Sequence, residues 1–152
     1  MSAPAPALPA TRRRMPRHRS GATTSFEVGG AEFYLTANPF DDGSLGEVFV
    51  KFGKQGSTLG GLLDAVSISV SLGLQSGIAL ETFATKYIDM RFEPMGYTDD
   101  PVIPTVTSVL DYVFRRLALD YLDSAACARL GVLSLDVEAR ERELASSPAA
   151  AS

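Results

Sequence analysis

The apolar residues of this chain change period once, at Gly53–Lys54–Gln55–Gly56, and that switch limits the folds open to it. Before the switch, apolar positions alternate. Ala31–Ala37 places Phe33 and Leu35 on one side and Glu32, Tyr34 and Thr36 on the other, and Gly46–Phe52 alternates Val48, Val50 and Phe52 with Glu47, Phe49 and Lys51. Ser25–Val28 precedes them, and Gly29–Gly30 suits the positive backbone angles of a two-residue hairpin. Asn38–Pro39 and Asp41–Asp42–Gly43–Ser44 supply a second turn, so three antiparallel strands are expected.

After the switch the period is helical. Ser57 is placed to cap a helix in which Leu59, Leu62, Leu63, Val66 and Val70 recur up to about Gly73. Ser67, Ser69 and Ser71 interrupt it, which lowers its intrinsic propensity and leaves packing to hold it. A shorter helix is expected over Leu80–Tyr87, burying Leu80, Phe83, Ala84 and Tyr87, and 88–104 reads as loop. Pro104 and Thr105 then open an amphipathic helix with Val106, Val109, Leu110, Val113, Phe114 and Leu117 on one face and Asp111, Arg115 and Arg116 off it, ending near Tyr121–Leu122. The expected fold class is α+β, a three-stranded antiparallel sheet packed on one face by about three helices.

Three regions follow: a disordered arm over 1–22 rich in Pro, Ala and Arg, a folded domain over 23–122, and a polar, partly helical, frayed tail over 123–152. The net charge of -4 conceals an asymmetry. Arg12, Arg13, Arg14, Arg17 and Arg19 cluster in the arm, while 21–152 hold 9 basic and 18 acidic residues. Such an arm can remain a solvated tether, fold back on its acidic body, or grip nucleic acid, although no aromatic interleaves its arginines.

Cys127 is the one cysteine and His18 the one histidine, which argues against an internal disulfide, a cysteine-zinc cluster and most metal chemistry. No apolar run is read as long enough to cross a membrane and no secretory signal is recognised, so no membrane contact and a cytoplasmic location are expected.

Two places merit weighing as sites. The turn between the third strand and the first helix brings backbone N–H groups together with Lys51, Lys54, Ser57 and Thr58, where an anion or nucleotide phosphate could dock. Its glycine spacing is not that of a P-loop, so a plain strand-to-helix turn competes with that reading. Arg91, Glu93 and Tyr97 lie in the loop segment RFEPMGYT and read either as contact residues or as an Arg–Glu pair pinning the loop. Cys127 reads as an inert, partly buried thiol, and no nucleophile–base pair can be assembled, so no catalytic residue is assigned.

Four segments, RRRMPRHR, GGAEFYLTANPFDDGSLGEVFVKFGKQGSTLGGLLDAVSISVSLGLQSGIALETF, RFEPMGYTDD and VLDYVFRRLALDYL, resemble in order and spacing the C-terminal TSCPD domain of adenosylcobalamin-dependent (class II) ribonucleotide reductases. ARLGVLSLDVEARERELASS is similar, more weakly, to the helix that trails it there. The resemblance implies a role in deoxyribonucleotide synthesis. It also implies that the radical cysteine, the dithiol pair and the adenosylcobalamin belong to the upstream part of the full-length enzyme, and a further cysteine relay to the tail beyond this domain. With Cys127 alone, the chain is expected to bind no cofactor itself and to act as an accessory or regulatory partner of a complete reductase, not as a catalyst. The alternative is an interaction module whose basic arm meets nucleic acid.

Overall fold

The computed structural model describes residues 11–54, 56–132 and 146. Strands β1 (Ala22–Val28), β2 (Ala31–Pro39) and β3 (Leu45–Phe52) form an antiparallel sheet in the order β1-β2-β3. Gly29 and Gly30 adopt φ of 56° and 83°, as a hairpin with a primed turn requires, and this sets Phe26 opposite Phe33. Phe26, Val28, Phe33, Leu35, Ala37, Val48 and Val50 are buried on the covered face, while Tyr34, Phe49 and Lys51 stay in contact with water on the other.

Helices α1 (Thr58–Gln75), α2 (Leu80–Tyr87), α3 (Val109–Tyr121) and α4 (Ser124–Leu130) follow, so the fold is α+β with one helix more than the period had indicated. Ser57 caps α1 as expected, its hydroxyl accepting from the Gly60 N–H at 3.0 Å. Leu63 and Val70 are buried, but Leu62 is turned out to water. The serines that looked like interruptions are what fasten this helix. β3 is an edge strand, and the outward N–H groups of Val48 and Val50 donate to the hydroxyls of Ser71 (3.0 Å) and Ser67 (2.9 Å). The Gln75 side chain donates to the Gly46 carbonyl at 3.0 Å. Every second residue of a strand advances about 6.7 Å and every fourth of a helix about 6 Å, so 67, 71 and 75 keep step with 50, 48 and 46. The edge is thereby covered and its polar groups satisfied.

α3 does not open at Pro104. Thr105–Val106 instead pairs as β5 with Gly96–Tyr97 (β4), and the helix starts after Ser108, whose hydroxyl accepts from the Asp111 N–H at 3.0 Å. Proline can start a strand or turn as readily as a helix, and the Ser108 cap decided the matter. Val109, Tyr112, Val113, Phe114 and Leu117 are fully buried, and the Tyr112 ring stacks on Phe26 at 4.0 Å, joining the helices to the sheet.

Two boundaries differ from expectation. Residues 11–21, read as part of a disordered arm, lie against the body. Residues 123–132, read as the start of a frayed tail, include α4, which an Arg129–Glu81 pair at 2.8 Å ties to α2. Residues 1–10 and most of the expected tail lie outside the described residues. α1 also corrects the reading of apolar length, since its 18 residues, of mean hydropathy 1.2, reach the length and composition of a spanning helix, with 33% of them buried in the fold.

Candidate functional site

The strand-to-helix turn brings Lys51, Lys54 and Ser57 together at an open groove of about 720 Å³ lined also by Tyr34, Phe52, Asp64 and glycines, while Thr58, the first residue of α1, is exposed outside that lining. Most of its polar groups are already engaged. Lys51 Nζ sits 2.6 Å from Asp64 Oδ1, so its charge is matched, and the Ser57 hydroxyl donates to the Lys54 carbonyl while capping α1. Lys54 is exposed and has no partner among the described residues. What remains for an anion is one ammonium and the first N–H groups of a helix.

In the loop between α2 and α3, Arg91, Glu93 and Tyr97 are exposed, Tyr97 by 81%. No ion pair joins Arg91 to Glu93 among the described residues, so the loop is not pinned in the way first supposed. It is held from behind. The buried Asp111 carboxylate accepts from the Asp89 N–H (2.7 Å), the Thr107 N–H (3.0 Å) and Arg115 Nε (2.9 Å). Asp100 accepts from the Val102 N–H (3.0 Å), the Tyr112 hydroxyl (2.7 Å) and an Arg116 guanidinium nitrogen (2.9 Å). Burial raises the Asp100 pKa, but these three donors outweigh it and hold the carboxyl below its ordinary value. Burial, followed by the hydrogen bond to Asp100, pushes the Tyr112 phenol well above its ordinary value.

The helical period had put Asp111, Arg115 and Arg116 off the apolar face. They instead form the interior bracing of this loop, and the signal available in the sequence was an acid four residues before an arginine, Asp111 and Arg115.

The arm folds back. The Arg13 guanidinium lies 3.1 Å from Asp42 and 3.9 Å over the Phe40 ring, and Arg19 pairs with Glu47 at 2.6 Å, which keeps Glu47 buried where alternation had put it outside. Hydrogen bonds from the Ser44 side chain and backbone, with a further one from Arg13, lower the Asp42 carboxyl to about 2. Gln75 holds the arm from α1: its side-chain oxygen accepts from Arg12 Nε (2.8 Å) and its carbonyl from the Arg13 N–H (2.7 Å). Met15 packs so closely on Gly46 that a Cβ there would stand 2.4 Å from its sulfur. Arg14 and Arg17 are exposed and have no partner among the described residues.

Against this geometry the chain can be compared with known proteins. Residues 9–121 match the TSCPD domain family. The chain belongs to that family. The TSCPD domain here is 56% identical over 133 residues to the vitamin B12-dependent ribonucleotide reductase of Streptantibioticus cattleyicolor, covering 88% of this chain and 22% of that protein. The reductase of the same name from Streptomyces coelicolor is also 56% identical, with 88% of this chain and 14% of that protein covered. The Bradyrhizobium diazoefficiens reductase is 42% identical over 112 residues, 73% of this chain and 9% of its own length. This TSCPD chain therefore spans less than a quarter of the curated relatives it matches. No solved structure matches it.

Vitamin B12 in those names refers to the relatives. In this chain the one histidine, His18, is exposed on the arm.

Proposed function

We propose that this TSCPD domain serves deoxyribonucleotide synthesis as a stand-alone accessory or regulatory partner of a complete vitamin B12-dependent ribonucleotide reductase, and that it does not reduce ribonucleotides by itself. The observation that carries the reading is the sulfur inventory of these residues, because two-electron reduction by thiols consumes a pair of sulfurs in reach of each other. Cys127 is the one cysteine of the sequence, 2% exposed, with its Sγ directed at the Ala118 carbonyl. A thiol so enclosed is packed as an apolar group.

The test adds the purified chain to a complete vitamin B12-dependent reductase and follows both co-elution and turnover. Binding, a change in turnover, or both supports the reading. A chain that neither co-elutes nor alters the rate refutes it, and so does ribonucleotide reduction by the chain alone when supplied with adenosylcobalamin and a dithiol.

A nucleic-acid role for the arm is favoured by one observation, the guanidinium groups of Arg14 and Arg17, which have no partner among the described residues. The other three arginines are spent on the body, which leaves this the weaker reading.

A further inference from the structure

Helix α1 has two unlike faces. Leu63, Ser67, Val70, Ser71 and Leu74 point inward and are buried against the sheet edge, while Leu62 (60% exposed), Ile68 (60%) and Leu72 (43%) stand in water with Ala65 between them. The one charge in the helix, Asp64, is held by Lys51, so nothing on this outer stripe is ionised without a partner. Ile78, 44% exposed and set against Gly73, continues the apolar surface past the helix end. Aliphatic side chains gathered like this on one side of a small domain mark an interaction surface.

Gly61 adds an independent sign. It is an exposed helical residue without a positive φ, and a Cβ built on it would meet nothing within 4 Å. Glycine in a helix costs about 1 kcal/mol relative to alanine, and no internal crowding explains it here. A surface that must approach the helix backbone closely does.

We infer that this outer face of α1 docks on a vitamin B12-dependent ribonucleotide reductase, on the part of that enzyme which this chain does not match. The inference rests on the accessory reading above and names its surface. Two features select this occupant. The matched segment is 14% to 22% of the relatives, so there the same domain is tethered to a much larger body, at high effective concentration for any apolar face. The other occupants are opposed by charge: with the basic arm lying against the body the chain still carries a net charge of -4, which repels both a second copy and an anionic bilayer.

The experiment uses the full chain in molar excess over the complete Streptomyces coelicolor reductase, with binding read by size exclusion and folding by circular dichroism. Ile68→Asp, at an exposed position, is expected to keep the fold and weaken the complex by about tenfold or more, while Tyr97→Ala leaves it unchanged. If wild type binds and Ile68→Asp binds equally, or Tyr97→Ala is the variant that fails, this surface is wrong and the accessory reading survives. Absence of any complex with wild type overturns the inference, and the accessory reading falls with it when turnover is unchanged as well. If the chain alone forms a dimer that Ile68→Asp dissolves, or sediments with phospholipid vesicles until Ile68 is replaced, the face belongs to a second copy or to a bilayer and the inference is overturned.

Discussion

The Ser71 hydroxyl accepts a hydrogen bond from the Val48 N–H at 3.0 Å and donates one to the Val48 carbonyl at 3.1 Å, so a single side chain of α1 satisfies both outward backbone groups of one edge-strand residue. Removing the hydroxyl leaves two buried polar groups without partners. Ser71→Ala is expected to destabilise the domain by about 1–3 kcal/mol, even though alanine is the better helix former. Urea unfolding measures it, with the exposed Ser69→Ala as reference, expected to stay within about 0.5 kcal/mol of wild type. Equal midpoints for the two variants would remove the edge-capping role of Ser71.

What was legible in the sequence had a local cause. Gly29–Gly30 needed positive φ, Ser57 had a helix behind it to cap, and Leu80–Tyr87 carried its own period, so the hairpin, the start of α1 and all of α2 lie where expected. What failed depended on partners far along the chain. Leu62 and Leu63 look alike in a helical pattern, and only the position of β3 decides that one is buried and the other exposed. Asp111 reads as a solvated acid until the loop at Asp89 and Thr107 turns its N–H groups toward it. The same holds for the candidate sites. The residues of the α1 turn are a candidate by type and spacing alone, and the pairing of Lys51 with Asp64 and the folding back of the arm are tertiary facts.

The loop bracing gives a second test. Asp111→Ala leaves the Asp89 and Thr107 N–H groups unsatisfied and takes one of two carboxylates from Arg115, which keeps Asp89 at 2.8 Å; a buried unsatisfied group costs about 1–3 kcal/mol, so a loss of about 2–4 kcal/mol is expected. Asp64→Ala also removes an acid paired at 2.6 Å, but both partners of that pair are at least half exposed, and a loss below about 1 kcal/mol is expected. The two unfolding midpoints should differ widely. Similar midpoints would mean that Asp111 does not brace the loop.

Asp100 makes stability depend on pH. Its carboxyl pKa is held below the ordinary value in the folded domain, against an unfolded value near about 3.9, so around pH 3 to 4 the unfolded chain binds more protons. The contribution is therefore complete above about pH 4 and lost as pH falls through the folded value. Asp100→Asn removes the charge that Arg116 faces at 2.9 Å, and its deficit relative to wild type should be largest at neutral pH and shrink below about pH 4. Chemical denaturation across that range checks it. A deficit independent of pH would assign the effect to shape and not to the ionised carboxylate.

The arm offers a test in which salt does the counting. Protein–DNA affinity falls with salt at a slope of about 0.9 per phosphate neutralised, so five available arginines would give a slope of roughly four to five. Arg12, Arg13 and Arg19 are committed to Gln75, Asp42 and Glu47, which leaves Arg14 and Arg17 and a slope of about two at most. Retention on duplex DNA as a function of salt should give that small slope. Deleting residues 1–20 should abolish the weak binding while leaving any complex with the reductase intact, because the α1 surface is untouched. The deletion should also lower stability by about 1–2 kcal/mol, since it uncovers Gly46 and takes the Arg12 donor from the Gln75 side-chain oxygen. A slope near five would mean that the arm leaves the body to meet nucleic acid, and would make the interaction-module reading the better one.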